Sequence, residues 1–190
     1  MHNHETGTSS DAFYAYLGRN NSKVSYRLPE LAKGLSVELG SALKSGGGTG
    51  AKDTLDLAVN YDAGPLHLGA GYEKNNSADQ FAVRGLYELG AFTVGAYLQR
   101  DQNGYASGNR TTLRLAGMYA MGNTELHANL GRAGDYSGVV GDQAASQYTL
   151  GVNQNLSKRT KVYAFVTKVA DKGTLYGDFQ SLAVGVRHNF

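Results

Sequence analysis

From Asn21 onward, apolar and polar residues alternate one by one in segments of about 9–12 residues. In QSLAVGVRHNF at the end of the chain, Leu182, Val184, Val186, His188 and Phe190 fall on one face, and Ala183, Gly185, Arg187 and Asn189 on the other. In TLDLAVNYD, Leu55, Leu57, Val59 and Tyr61 oppose Asp56, Ala58, Asn60 and Asp62. In PLHLGAGYE, Leu66, Leu68, Ala70 and Tyr72 oppose His67, Gly69, Gly71 and Glu73. Side chains alternate across a strand, so each segment has a greasy face and a small or charged one. A helical period would scatter the charges into the apolar stripe. Eleven such segments are expected, near 21–29, 34–44, 53–62, 65–74, 80–89, 91–101, 110–121, 124–132, 146–156, 160–170 and 179–190.

The connections alternate in length. PELAKG, DAGP, LGA, MGNT and NLSKRT are short; KSGGGTGAKD, KNNSAD, RDQNGYASGN, RAGDYSGVVGDQAAS and ADKGTLYGD are long and polar. Short turns at one end and long loops at the other are the pattern of outer-membrane barrels, with the short turns periplasmic. A soluble sandwich or barrel shares the alternation of residues but has no reason to keep the alternation of loops. The polar face is rich in Gly, Ala, Asn and charges, as an aqueous lumen would be, and Tyr and Phe recur near segment ends.

Composition sharpens this picture without deciding it. Mean hydropathy is −0.37 and 41% of residues are hydrophobic, which alone would suggest a soluble chain. Barrel strands, however, need an apolar residue only at every second position, so their average hydropathy stays low. No stretch approaches the run of about 18 apolar residues of a spanning helix. The 26 glycines against 2 prolines fit strands joined by turns. With no cysteine there is no disulfide framework or thiolate metal site. A net charge of +2 is too mild to indicate a nucleic-acid partner. The start, MHNHETGTSSD, has no apolar core and is not a signal peptide, so the expectation is a mature, re-engineered or truncated chain.

Four passages resemble the general porins of Gram-negative bacteria, especially the trimeric type of β-proteobacteria and neisserial relatives. They are LGRNNSKVSYRLPELAKGL, VNYDAGPLHLGAGYE, QYTLGVNQNLSKRTKVYAFV and the terminal VGVRHNF. The second and third are fairly specific, and the resemblance covers about residues 17–190. It implies an outer-membrane channel for passive diffusion of ions and small hydrophilic solutes, without a cofactor, embedded in lipid, assembled as a homotrimer and inserted by the barrel-assembly machinery. It also implies departures. The opening strands and most of the inward-folded third loop have no counterpart, Ser25 stands where the family often has a basic residue, and Gln154 where it often has an aromatic. The chain resembles the C-terminal two-thirds of a porin.

The expected fold is therefore an all-β transmembrane antiparallel up-and-down barrel spanning 11–190 after a disordered polar segment 1–10. Eleven strands leave two unpaired edges, and unpaired backbone groups in lipid cost several kcal/mol each. The segment DAFYAYLG supplies a twelfth strand in this reading, with Phe13, Ala15 and Leu17 toward lipid and Tyr14 and Tyr16 inside. The alternatives are eleven strands, or an open piece of a larger barrel.

Alternation places Lys23, Arg27, Glu38, Asp56, His67, Glu73, Arg84, Arg114, His127 and Arg187 on the lumen face. Of these, Arg27, Glu38, Asp56, Arg84, Arg114 and Arg187 are the expected pore lining, with Arg84 and Arg114 biasing selectivity weakly toward anions. The bland reading is solvated wall groups paired locally. Phe190, preceded at every second position by His188, Val186 and Val184, resembles the family's C-terminal assembly signal. His2 and His4 read as part of a polar terminus rather than a metal site, and GGGTGAK lacks the ending of a phosphate loop. Two rivals remain: a barrel enzyme, which would need a nucleophile, base and orienter together, and a plugged structural barrel, against which the small lumen side chains argue.

Overall fold

A computed structural model describes residues 22–42, 53–75, 77–104, 106–173 and 177–190. Among them are eleven strands: β1 Lys23–Arg27, β2 Leu35–Ala42, β3 Thr54–Ala63, β4 Leu66–Asn75, β5 Ala78–Leu89, β6 Phe92–Gln102, β7 Asn109–Met121, β8 Thr124–Ala133, β9 Ala145–Asn155, β10 Thr160–Asp171 and β11 Phe179–His188. They form one sheet in sequence order, every neighbour antiparallel. The described sheet is open: β1 pairs only with β2, and β11 only with β10. The expected twelfth strand and the disordered segment 1–10 lie outside the described residues.

The eleven predicted segments match the observed strands to within a few residues. One connection differs. KNNSAD does not form a long loop, because β4 continues to Asn75, β5 begins at Ala78, and Asn75 pairs with Ala78. Lys74 and Asp79 stand opposite each other in the extended ladder, so opposite charges sit side by side where the sequence read as loop. At the other end, two-residue turns join β3 to β4, β5 to β6 and β7 to β8. In the β5–β6 turn, Gly90 has φ +59°, a left-handed conformation that costs a residue without Cβ nothing.

The register separates two faces. One carries Leu55, Leu57, Val94, Leu98, Leu113, Leu115, Leu150, Val166 and Leu182, all exposed. On β11, Leu182 and Val184 are each 77% exposed, which no water-facing fold of this size would tolerate in a continuous stripe. The other face carries the charged and amide side chains. At the short-turn end the apolar face finishes in aromatics: Tyr61, Tyr87, Phe92 and Tyr119 are exposed, and Phe92 stacks on Tyr119 with centroids 4.5 Å apart. Amphipathic rings of this kind occupy the membrane–water boundary.

Candidate functional site: the polar face of the sheet

The six residues expected to line a pore all lie on the polar face, and Asp56, Arg84 and Arg114 have bonded partners there. Arg84, exposed near the middle of β5, donates from Nη2 to Asn60 Oδ1 at 3.2 Å. To do so it lies across Gly69, where a Cβ would stand 2.7 Å from Arg84 Nε. The absence of a side chain at Gly69 is what lets the guanidinium lie flat along the wall. Arg114, half-buried on β7, donates from Nη2 to Gln147 Oε1 at 2.7 Å, reaching past β8 to β9. Asp56 holds Lys23 at 2.8 Å. Arg27 stands opposite Glu38 across the β1–β2 ladder. Arg187 stands opposite Lys161, two cations facing each other near the short-turn end. The arrangement therefore joins Lys23 to Asp56 and sets Arg27 beside Glu38, while Arg84 bonds the amide of Asn60 and Arg114 that of Gln147.

The remaining lumen-face residues form two polar groups. His67 Nδ1 lies 2.6 Å from Asp62 Oδ1 and its Nε2 lies 3.9 Å from Glu88 Oε1. Glu125 accepts from Asn153 Nδ2 and Asn155 Nδ2, each at 2.8 Å, with His127 Nε2 3.4 Å away. Both groups sit near the short-turn end. Higher up, Gln80 donates to Glu73 and accepts from Gln99, each at 3.3 Å, and Tyr97 donates to Gln99 at 2.6 Å.

Sequence reasoning missed the most heavily bonded charge of this face. Arg110 is 6% exposed. It donates from Nε to Gly134 O at 2.9 Å, from Nη1 to Tyr136 Oη at 3.3 Å and from Nη2 to Gln143 O at 3.2 Å. Its guanidinium also lies 4.7 Å from the centre of the Tyr136 ring. Asp101, paired with it across the ladder, is 1% exposed. The signal was present: Arg110, Thr112 and Arg114 are spaced by two, so Arg114's face is Arg110's face.

Arg110 anchors both ends of the connection 134–144, whose flanks extend the ladders at the long-loop end. Ala133, Ala145 and Val169 are buried beneath it with Phe179 packed alongside. Two further connections tie into it. Asn109 N donates to Ser137 Oγ at 2.8 Å, and Ser137 N to Asn109 O at 3.0 Å. Lys172 Nζ donates to Asp142 at 2.7 Å, and Lys172 N to Ala144 O at 3.0 Å. This ion pair holds the Asp142 carboxyl below its ordinary range and the Lys172 ammonium above its own. The result is a roof over the long-loop end of β7–β10.

A continuous antiparallel sheet with an apolar outer face, an aromatic border and a polar inner face defines a transmembrane β-barrel protein of the outer-membrane type. The family model for Gram-negative porins matches residues 2–174, and the chain belongs to that family. Its place is the bacterial outer membrane. Solved structures with the same fold include outer-membrane OmpT of Vibrio cholerae, 18% identical, TM-score 0.70, over 96% of this chain and 73% of that one. Salmonella typhi OmpF in complex with daunomycin is 14% identical, TM-score 0.72, over 87% and 61%. A mutant Rhodopseudomonas blastica porin is 20% identical, TM-score 0.66, over 88% and 55%. Comparison with curated proteins returns no match.

Proposed function

We propose that this chain forms a water-filled channel for passive diffusion of ions and small hydrophilic solutes. One observation carries the reading. Charged and amide side chains occupy the polar face along the whole strand length, from Asp101 and Arg110 at one end through Arg84 and Arg114 to Glu125 and Arg187 at the other, and that face backs onto an exposed apolar one. Buried polar groups in lipid would be ruinous without water, so a face of this kind needs an aqueous lumen. A solute channel requires no catalytic group, and this reading assigns none.

In the same reading Arg27, Glu38, Asp56, Arg84, Arg114 and Arg187 line the passage. Phe190 with His188, Val186 and Val184 is the signal read by the assembly machinery, and copies associate as a trimer. The same face carries Arg110 and Lys161 on the basic side and Asp62, Glu88, Asp101, Glu125 and Asp171 on the acidic side, leaving it close to neutral. Position then sets the sign. Asp101 faces Arg110, and Asp62, Glu88, Glu125 and Asp171 lie near strand ends, where salt screens them over about 8 Å. Arg84 and Arg114 remain near mid-wall, so a weak anion preference is expected.

The roof favours a second reading, a barrel whose outer mouth is plugged. Swelling of proteoliposomes in sugars of graded size separates the two. A channel gives swelling rates that fall with sugar size; a folded, heat-modifiable barrel that gives no swelling with the smallest sugar is plugged.

A further inference from the structure

The polar face is not charged throughout. On β3–β7 it carries Asp56, Glu73, Arg84, Asp101, Arg110 and Arg114. By contrast β9 has no charged residue, and on β10 the inward positions between Lys161 and Asp171 are all neutral. Two aromatic rings stand in this neutral strip. A Cβ on Gly151 would meet Phe165 Cβ at 3.3 Å and His127 Cβ at 3.8 Å, so Phe165 shares the face of the wall residue His127. Tyr163, two residues before Phe165, shares it too. Apolar surface left in water costs about 25 cal/mol per Å², and a wall that only carries water and ions has no use for such rings.

The rings are parallel to within 12°, with centroids 6.1 Å apart. Tyr163 leans over Gly185, where a Cβ would stand 2.5 Å from Cζ and would also meet Oη. Their neighbours across the ladders are small: Gly151 and Ala183 beside Phe165, and Gly185 beside Tyr163, with Asn153 on its other side. Both rings are half-buried, and they rise above a floor that is mostly backbone.

A hydrogen-bonding edge runs beside them. Tyr163 is level with Asn153 and then Glu125; Phe165 is level with Gly151 and then His127. The edge therefore lies two strands from the rings, about 9.6 Å between backbones. Asn153 Nδ2 donates to Glu125 Oε2 and Asn155 Nδ2 to Glu125 Oε1, each at 2.8 Å, which fixes the carboxylate in place. The Glu125 and His127 side chains are 24% and 28% exposed. A carboxylate has lone pairs for donors beyond these amides.

A pyranose ring matches this pairing. Its axial C–H bonds form an apolar face that packs on an aromatic ring, and its equatorial hydroxyls project from the rim toward polar partners. A charged solute gains nothing from a neutral strip, and a plain aromatic one leaves the Glu125 edge unused. Two rings in line along β10 serve successive units of a sugar chain. We propose that Tyr163 and Phe165, with Glu125 and His127 at their edge, form a binding site for neutral oligosaccharides on the wall of the passage. The proposal rests on the channel reading above and names a solute class for it.

The test uses the full chain refolded in a detergent without a sugar headgroup and dialysed to equilibrium against radiolabelled maltotriose, a neutral chain of pyranose rings. A polyethylene glycol of the same mass, which has no ring face, is the control. Tyr163→Leu with Phe165→Leu keeps apolar bulk and removes both rings. Gly151→Val raises a side chain beside Phe165 and leaves both rings in place, and Tyr163→Phe keeps the ring. The native chain and Tyr163→Phe should bind the sugar alike. The leucine pair should bind it roughly tenfold more weakly, and Gly151→Val should also weaken it. Gel mobility before and after boiling shows which variants fold, and Gly151→Val decides alone where the leucine pair does not. Equal sugar binding by the native chain and the folded variants, or glycol retained as well as sugar, overturns the site. Current through a planar bilayer reads the channel separately: maltotriose should interrupt the native current and interrupt that of the leucine pair much less. Ring-dependent binding without a steady open level overturns the channel and keeps the site, whereas an open channel whose sugar binding ignores the rings overturns the site alone.

Discussion

The two ends of the polar face are built on different principles. Toward the long connections, polar side chains of β6, β7, β9 and β10 are buried: Gln99, Asp101, Arg110, Thr112, Gln147, Thr149 and Thr167. There Arg110 and the connection 134–144 make a packed layer. Toward the short turns, the charged groups of the wall stay in reach of water: the side chain of His67 is 40% exposed and that of Glu88 57%, while the amide Asn153 is buried. The turns there consist of two to seven residues and have no length with which to fold inward. A tight turn leaves a channel mouth open, whereas a longer connection with an anchor can cover one.

The largest expected effect comes from breaking the roof. Arg110→Ala removes three hydrogen bonds and a ring contact, and leaves Asp101 buried without its neighbouring cation. Loss of a buried charge partner costs about 3–5 kcal/mol. The variant should melt earlier, be cut by protease within 134–144, and pass ions with a larger and noisier conductance. Unchanged conductance with increased cleavage would show that the roof lies clear of the ion path.

The next effect concerns the open wall. Arg84→Ala with Arg114→Ala removes two charges held by neutral amides. The reversal potential across a planar bilayer under a salt gradient should move toward cation preference. A clear cation preference in the native chain, or no movement in the double variant, would remove these two residues from the selectivity account.

How far the sequence reveals this contrast follows from what a strand pattern encodes. Alternation is a consequence of two solvents on two faces, so it locates every described strand and assigns Arg84, Arg114 and Asp56 to the correct face. It fails where no such pair of solvents acts. The connection 134–144, rich in Gly, Ala, Ser and Asp, has no period, and its fold depends on Arg110, 24 to 33 residues away from its partners. NNSAD reads as turn residues, yet the β4–β5 ladder runs on through it, with Asn75 paired to Ala78 and Lys74 opposite Asp79. Gly69 is visible as a glycine, but only the register shows that Arg84 lies over it.

Smaller effects test the edges of the contrast. Deleting Phe190 in a secreted form should lower outer-membrane insertion while refolding in detergent is kept; equal insertion would reject a signal role for the end of the chain. The Lys172–Asp142 pair should contribute least, since both groups are exposed. Asp142 is depressed when folded, so its contribution is present above the ordinary carboxylate range and lost as pH falls through the depressed value. Lys172 is raised, so its contribution is present below about 10.4 and lost as pH rises through the raised value. Protease sensitivity of 134–144 should therefore stay flat between about pH 5 and 10 and rise outside that window, and Asp142→Asn should remove the rise on the acid side.

The most direct test of the central claim is single-channel recording of the refolded chain in a planar bilayer. An aqueous passage gives steady open levels whose conductance scales with bulk salt. A chain that inserts as a heat-modifiable barrel and gives no steady open level would contradict the diffusion channel and establish the plugged barrel in its place.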